Sequence, residues 1–92
     1  MLEKVKARCG IAEEITVYDE QIQEYIADAL ADMAASGVPE ELLENEEDPQ
    51  IMTAVSCYVK AYLGDDRTDT EKYLDLYRKK VFRLTLEGEH VE

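Results

Sequence analysis

Residues 49–63, "PQIMTAVSCYVKAYL", constrain the fold most. Asp48 and Pro49 form a helix-opening pair, an N-cap carboxylate followed by a proline at the first helical position, where its missing N–H costs nothing. Wound at about 100° per residue, the stretch divides into three sectors. Ile51, Met52, Val55, Tyr58, Val59, Tyr62 and Leu63 make a broad bulky face. Ala54, Cys57 and Ala61 make a narrow ridge of small side chains, and Thr53, Ser56 and Lys60 a thin polar strip. A helix that is apolar over most of its circumference must be surrounded by other elements. This one therefore belongs at the centre of a bundle, with Cys57 as a spacer and Lys60 as its exit to solvent.

The rest of the chain supplies neighbours for it. In "MLEKVKARCG" Leu2, Val5 and Cys9 share a stripe, and Gly10 suits the left-handed position that ends a helix. "IAEEIT" follows as a connector anchored by Ile11 and Ile15. A second helix, capped by Thr16 or Asp19, carries Ile22, Tyr25, Ile26, Ala29, Leu30 and Met33 at helical spacing, and Gly37 with Pro39 stops it. Residues 38–48, "VPEELLENEED", form an acidic connector in which "PEELLE" can make one helical turn on Leu42 and Leu43. Gly64 ends the central helix. Thr68 and Glu71 then form a capping box for a last helix, whose inward face is Tyr73, Leu74, Tyr77, Val81 and Leu84. Phe82 falls on the opposite side. From there the pattern alternates, which predicts that residues 82–92 leave the bundle as an extended tail. The expected architecture is all-α: a small four-helix bundle-like domain over residues 1–86, with a short N-terminal helix and an acidic C-terminal tail, 87–92.

A chain of 92 residues makes one domain with a thin core, burying about 60–65% of its unfolded surface. Domains this small are often completed by a metal, by disulfides or by oligomerisation. The two cysteines, Cys9 and Cys57, and the single His90 are too few and too scattered for a zinc site. No stretch of the sequence reads as a secretion signal, so the thiols are expected to be reduced. No apolar run approaches the roughly 20 residues of a membrane span. Oligomerisation is left.

Catalytic motifs are absent: no GxGxxG, P-loop, GxSxG or HExxH occurs. "ENEED" at 44–48 lacks the alternating ligands and central glycine of a calcium loop and reads as a solvated connector. An acyl carrier domain would need its serine in an Asp-Ser-Leu context, whereas Ser36 and Ser56 stand in "ASG" and "VSC". The six tyrosines (18, 25, 58, 62, 73 and 77) fall mainly at inward positions with their hydroxyls at the rim. No catalytic, cofactor-binding or metal-binding residues are expected.

Charge is unevenly divided. All ten Lys and Arg lie within residues 1–8 and 60–83. Residues 9–59 carry 13 carboxylates and no cation, a charge of −13, while the other 41 residues carry +10 and −9, or +1, giving the chain total of −12. That total disfavours binding to nucleic acid backbone or to anionic membrane surfaces. Glu24, Asp28 and Asp32 form an i, i+4, i+8 acidic row on the second helix, and Arg78, Lys79, Lys80 and Arg83 cluster on the last one. Either the two surfaces neutralise each other within one bundle, or they meet between copies in a heterologous contact that can close into a ring.

The segments "LEKVKARCGI", "YDEQIQEYIADALADM", the connector ending in "DP", "AVSCYVKAYLGDD" and "DTEKYLDLYRKKVFRLTL" stand in one order over residues 2–86. In that order they resemble the head–tail connector, or adaptor, proteins of tailed bacteriophages and prophages, a group also described as head-completion or DNA-packaging proteins. Cys9 replaces the usual aliphatic residue of the first segment, a small apolar exchange. The resemblance implies a homo-oligomeric ring below the portal protein, assembled in the bacterial host cytoplasm and located at the virion head–tail junction. Such a ring extends the DNA channel, lets DNA pass without specific binding, and docks a stopper or tail-completion protein. Neither catalysis nor a cofactor is implied. On this reading Arg78, Lys79, Phe82, Arg83 and Leu86 are expected at an intersubunit or portal interface, with Phe82 and the following tail as the grip. Glu24, Asp28 and Asp32 are expected at a channel wall or a subunit contact. The alternative is an acidic regulatory or DNA-mimic protein that occupies a basic partner.

Overall fold

The computed structural model describes residues 1–45, 47–64 and 67–89, with 67–68 and 87–89 by backbone only. Five helices follow one another: α1 (Leu2–Arg8), α2 (Asp19–Ser36), α3 (Glu40–Glu44), α4 (Pro49–Leu63) and α5 (Arg67–Glu89). Among the described residues there is no strand. The domain is all-α, and α4 is its axis, packed against α5, α2 and α1.

The core forms where the helical stripes converge. Val5, Ile22, Ala29, Met33, Ile51, Ala54, Val55, Val59 and Leu84 are fully buried, and Tyr77 and Val81 nearly so. Asp48 Oδ1 accepts the backbone N–H of Gln50 at 2.8 Å and of Ile51 at 3.3 Å, which sets the start of α4 where its sequence places it. Two glycines close helices through the same geometry. Gly10 (φ 74°) and Gly37 (φ 101°) lie in the left-handed region. After α1, the N–H groups of Gly10 and Ile11 bond the Ala7 and Lys6 carbonyls; after α2, those of Gly37 and Val38 bond the Ala34 and Met33 carbonyls. Both are Schellman closures, and at the second the buried Val38 completes the hydrophobic contact with Met33.

The expected "PEELLE" turn forms, as the short helix α3. Other expectations are corrected. Neither Thr16 nor Asp19 caps α2, whose N-cap is Tyr18 with no side-chain bond. Ile15 is 43% exposed and does not anchor the connector. Tyr62 is 45% exposed, outside the core face it was read into, whereas Ser56 is buried rather than part of a polar strip. Thr68 lies one residue inside α5, and its side chain is outside the described residues, as are Glu46, Asp65, Asp66 and residues 90–92 of the acidic tail.

The largest correction concerns residues 82–89, which continue α5 instead of forming an extended tail. Leu84 is fully buried while Phe82 and Leu86 are 64% and 38% exposed. On a helix, 82 and 86 share a face at i, i+4 and 84 points the other way, so three apolar residues at alternate positions do not require a strand. Leu84 extends the inward series Tyr77, Val81 by one more turn, and Thr85 Oγ1 donates to the Phe82 carbonyl at 2.6 Å.

Candidate functional site: two opposed charged surfaces

One surface is the outer face of α5. Residues 76–86, "LYRKKVFRLTL", contain four cations and no carboxylate. The inward positions bury Tyr77, Val81 and Leu84. The outward positions form an open groove of Leu76, Phe82 and Leu86 bordered by Arg78, Lys79, Lys80 and Arg83. Every lining residue comes from α5 itself, so no other described element covers this face. All five residues expected here from the sequence are brought together, and all are exposed. Leu76 and Lys80 join them; the carboxylate-free run from 76 to 86 is the signal that includes them. Lys79 leans on Asp75 at 3.0 Å, one turn earlier on the same helix.

The second surface is the outer side of α2. Glu24, Asp28 and Asp32 are all exposed and lie one turn apart. Asp32 is partly committed: the Tyr77 hydroxyl donates to its Oδ2 at 2.7 Å, with the Ala29 carbonyl at 3.3 Å as a second acceptor. Behind the row stands a chain of tyrosine rings. Tyr25 and Tyr62 are 5.7 Å apart between centroids, Tyr62 and Tyr58 4.7 Å, and Tyr58 and Tyr77 5.1 Å. Burial, then Tyr62 and the carboxylates of Asp28 and Asp32, hold the Tyr58 phenol above its ordinary range. Burial and then Asp32 do the same, more strongly, for Tyr77. These hydroxyls therefore remain protonated, and that of Tyr77 donates to the acidic row.

The two surfaces do not neutralise each other within the chain. The ion pairs among the described residues are Lys4–Glu47 at 3.8 Å, Lys6–Asp19 at 2.8 Å and Lys79–Asp75 at 3.0 Å, and none joins α2 to α5. Among the described residues the neutral Tyr77 hydroxyl supplies a polar link between these helices.

Sequence reasoning missed Lys6. Its side chain is buried, and Nζ donates to the carbonyls of Ile15 at 2.6 Å and Glu13 at 3.1 Å while pairing with Asp19. One ammonium thus ties α1 to the middle of the connector and to the first residue of α2. The connector it holds presents Ile15, Val17 and Tyr18 to solvent, Val17 at 78%. A lysine one position beyond an apolar stripe carries no sign of this; only the folded connector supplies its acceptors. The free thiols of Cys9 and Cys57 are half-buried, and burial raises both above their ordinary range, outweighing the nearby Lys60. They are poor nucleophiles.

A family model described as phage connector protein matches residues 1–91. The chain belongs to the phage connector family. No curated protein and no solved structure gives a significant match. The family is structural, and membership assigns the chain a general connector role at the phage head–tail junction, in contact with other head or tail proteins. The match runs through α5, so both charged surfaces belong to the connector domain.

Proposed function

We propose that this connector is an adaptor subunit that assembles as a homo-oligomeric ring below the portal, extends the DNA channel, and docks the stopper or tail-completion protein. Ring assembly takes place in the host cytoplasm, on the filled head. Besides family membership, one observation carries the reading. The chain displays a cationic-apolar helix face and an acidic face, both exposed, and among the described residues no ion pair joins one to the other. A subunit with two different, complementary surfaces makes heterologous contacts, and such contacts generate closed rings when the rotation permits.

The acidity of the rest of the surface fits a conduit for DNA. Glu40, Glu41 and Glu44 of α3 are exposed, and a wall of carboxylates repels phosphates, so DNA passes without being held. The chain's role is mechanical and needs no cofactor.

The test is genetic. A phage lacking this chain is expected to accumulate portal-bearing heads to which tails do not attach, and purified chain added to those heads is expected to restore attachment and infectivity. Infectious tailed particles formed without the chain would refute the proposal.

A further inference from the structure

We infer that the cationic outer face of α5 docks on the acidic, tyrosine-edged face of α2 in a second copy of this chain. The inference rests on the connector reading and assigns the subunit contact within it. It places Glu24 and Asp28 between subunits rather than on the channel wall.

Charge complementarity selects the occupant. The α5 face offers Arg78 and Arg83 on either side of the exposed Phe82. The surface best matched to it in the same polypeptide is the α2 row, where like charges one turn apart repel at a cost of about 0.2–0.5 kcal/mol per pair. Both surfaces are helical: Glu24 and Asp28 stand about 6 Å apart along α2, and Arg78 and Arg83 about 7.5 Å apart along α5. The apolar parts match as well. Tyr62 is 45% exposed and packs on Tyr25, the neighbour of Glu24 in sequence. A guanidinium stacks on such rings, and a phenylalanine packs edge-to-face against them. Docking therefore buries Phe82 and Leu86 against aromatic edges while Arg78 and Arg83 reach carboxylates. Within one chain this meeting does not occur among the described residues: the groove is lined by α5 alone, and no ion pair there joins α2 to α5.

Paired charge reversal tests the contact. One variant carries Glu24→Arg and Asp28→Arg and leaves Asp32, which serves Tyr77, in place. The second carries Arg78→Glu and Arg83→Glu and leaves Lys79 with Asp75. The third combines all four changes. Copies of each bound per portal, using the portal protein of the same genome, are counted by native mass spectrometry over a concentration series. The two single-face variants are expected to need about a hundredfold more protein for half-occupancy, as like charges then face each other. The four-change variant is expected to load like the unaltered chain, because the exchanged positions again face opposite charges. A 1:1 mixture of the two single-face variants is expected to load as well. Phe82→Ala is expected to weaken loading while leaving the thermal midpoint unchanged. Normal loading by the single-face variants, or failure of the four-change variant to recover, overturns the contact while leaving the ring reading standing. An unaltered chain that neither binds portal nor self-associates overturns both.

Discussion

At the residue scale the fold depends on a side chain that no pattern flags. Lys6 buries its ammonium to hold two connector carbonyls and the Asp19 carboxylate. A buried charge is tolerated when it is paired and hydrogen-bonded, and here two carbonyls accept from the ammonium while the Asp19 carboxylate supplies the counter-charge. Lys6→Met keeps the stem and removes the ammonium, leaving Asp19 and the connector carbonyls without their donor. The expected cost is about 2–4 kcal/mol, measured as a fall in the urea midpoint. Amide exchange is expected to speed up over residues 11–18, the connector that Lys6 ties down. An unchanged midpoint would show that the connector is held by its backbone alone. Ser56 is a contrasting case: its buried hydroxyl has no partner among the described residues, and the structure gives no reason for its retention.

At the scale of elements, α2 and α5 are joined by the Tyr77 hydroxyl on Asp32. Burial, then Asp32, keep that phenol protonated well above the ordinary tyrosine value of about 10. The folded state therefore holds the proton more tightly than the unfolded state. The contribution is complete below about pH 10 and is lost as the pH rises through the raised folded value. Tyr77→Phe is expected to cost about 1 kcal/mol at neutral pH and to remove this tyrosine's share of the alkaline loss. The stability gap between the two proteins should then narrow above about pH 10. A gap of constant size across that range would contradict the assignment.

The same elements show how far the sequence can be read. The bounds of α4 were legible because Asp48-Pro49 and Gly64 act locally, and its apolar circumference placed it at the centre. Gly10 and Gly37 were legible for the same reason. The outward position of Phe82 followed from helical phase, and the acidic row and basic cluster from charge. The C-terminal half of α5 was not legible: Phe82, Leu84 and Leu86 suit a strand or a helix equally until the burial of Leu84 decides. The caps of α2 and the roles of Ile15 and Lys6 depend on how α1 and α2 approach each other, which no local signal encodes.

At the scale of the whole molecule, the proposed ring accounts for both a thin core and a divided surface. Among the described residues no ion pair joins the acidic face of α2 to the basic face of α5, and Phe82 and Leu86 are exposed. Oligomerisation would complete what 92 residues cannot bury alone. Family membership gives that assembly its setting, the junction between head and tail. The most direct measurement is the solution mass of the chain by light scattering over a wide concentration range, with and without portal protein from the same genome. A discrete large oligomer, formed alone or on the portal, is the predicted result. A mass that stays at that of the 10.5 kDa monomer at every concentration and ignores the portal would contradict the account.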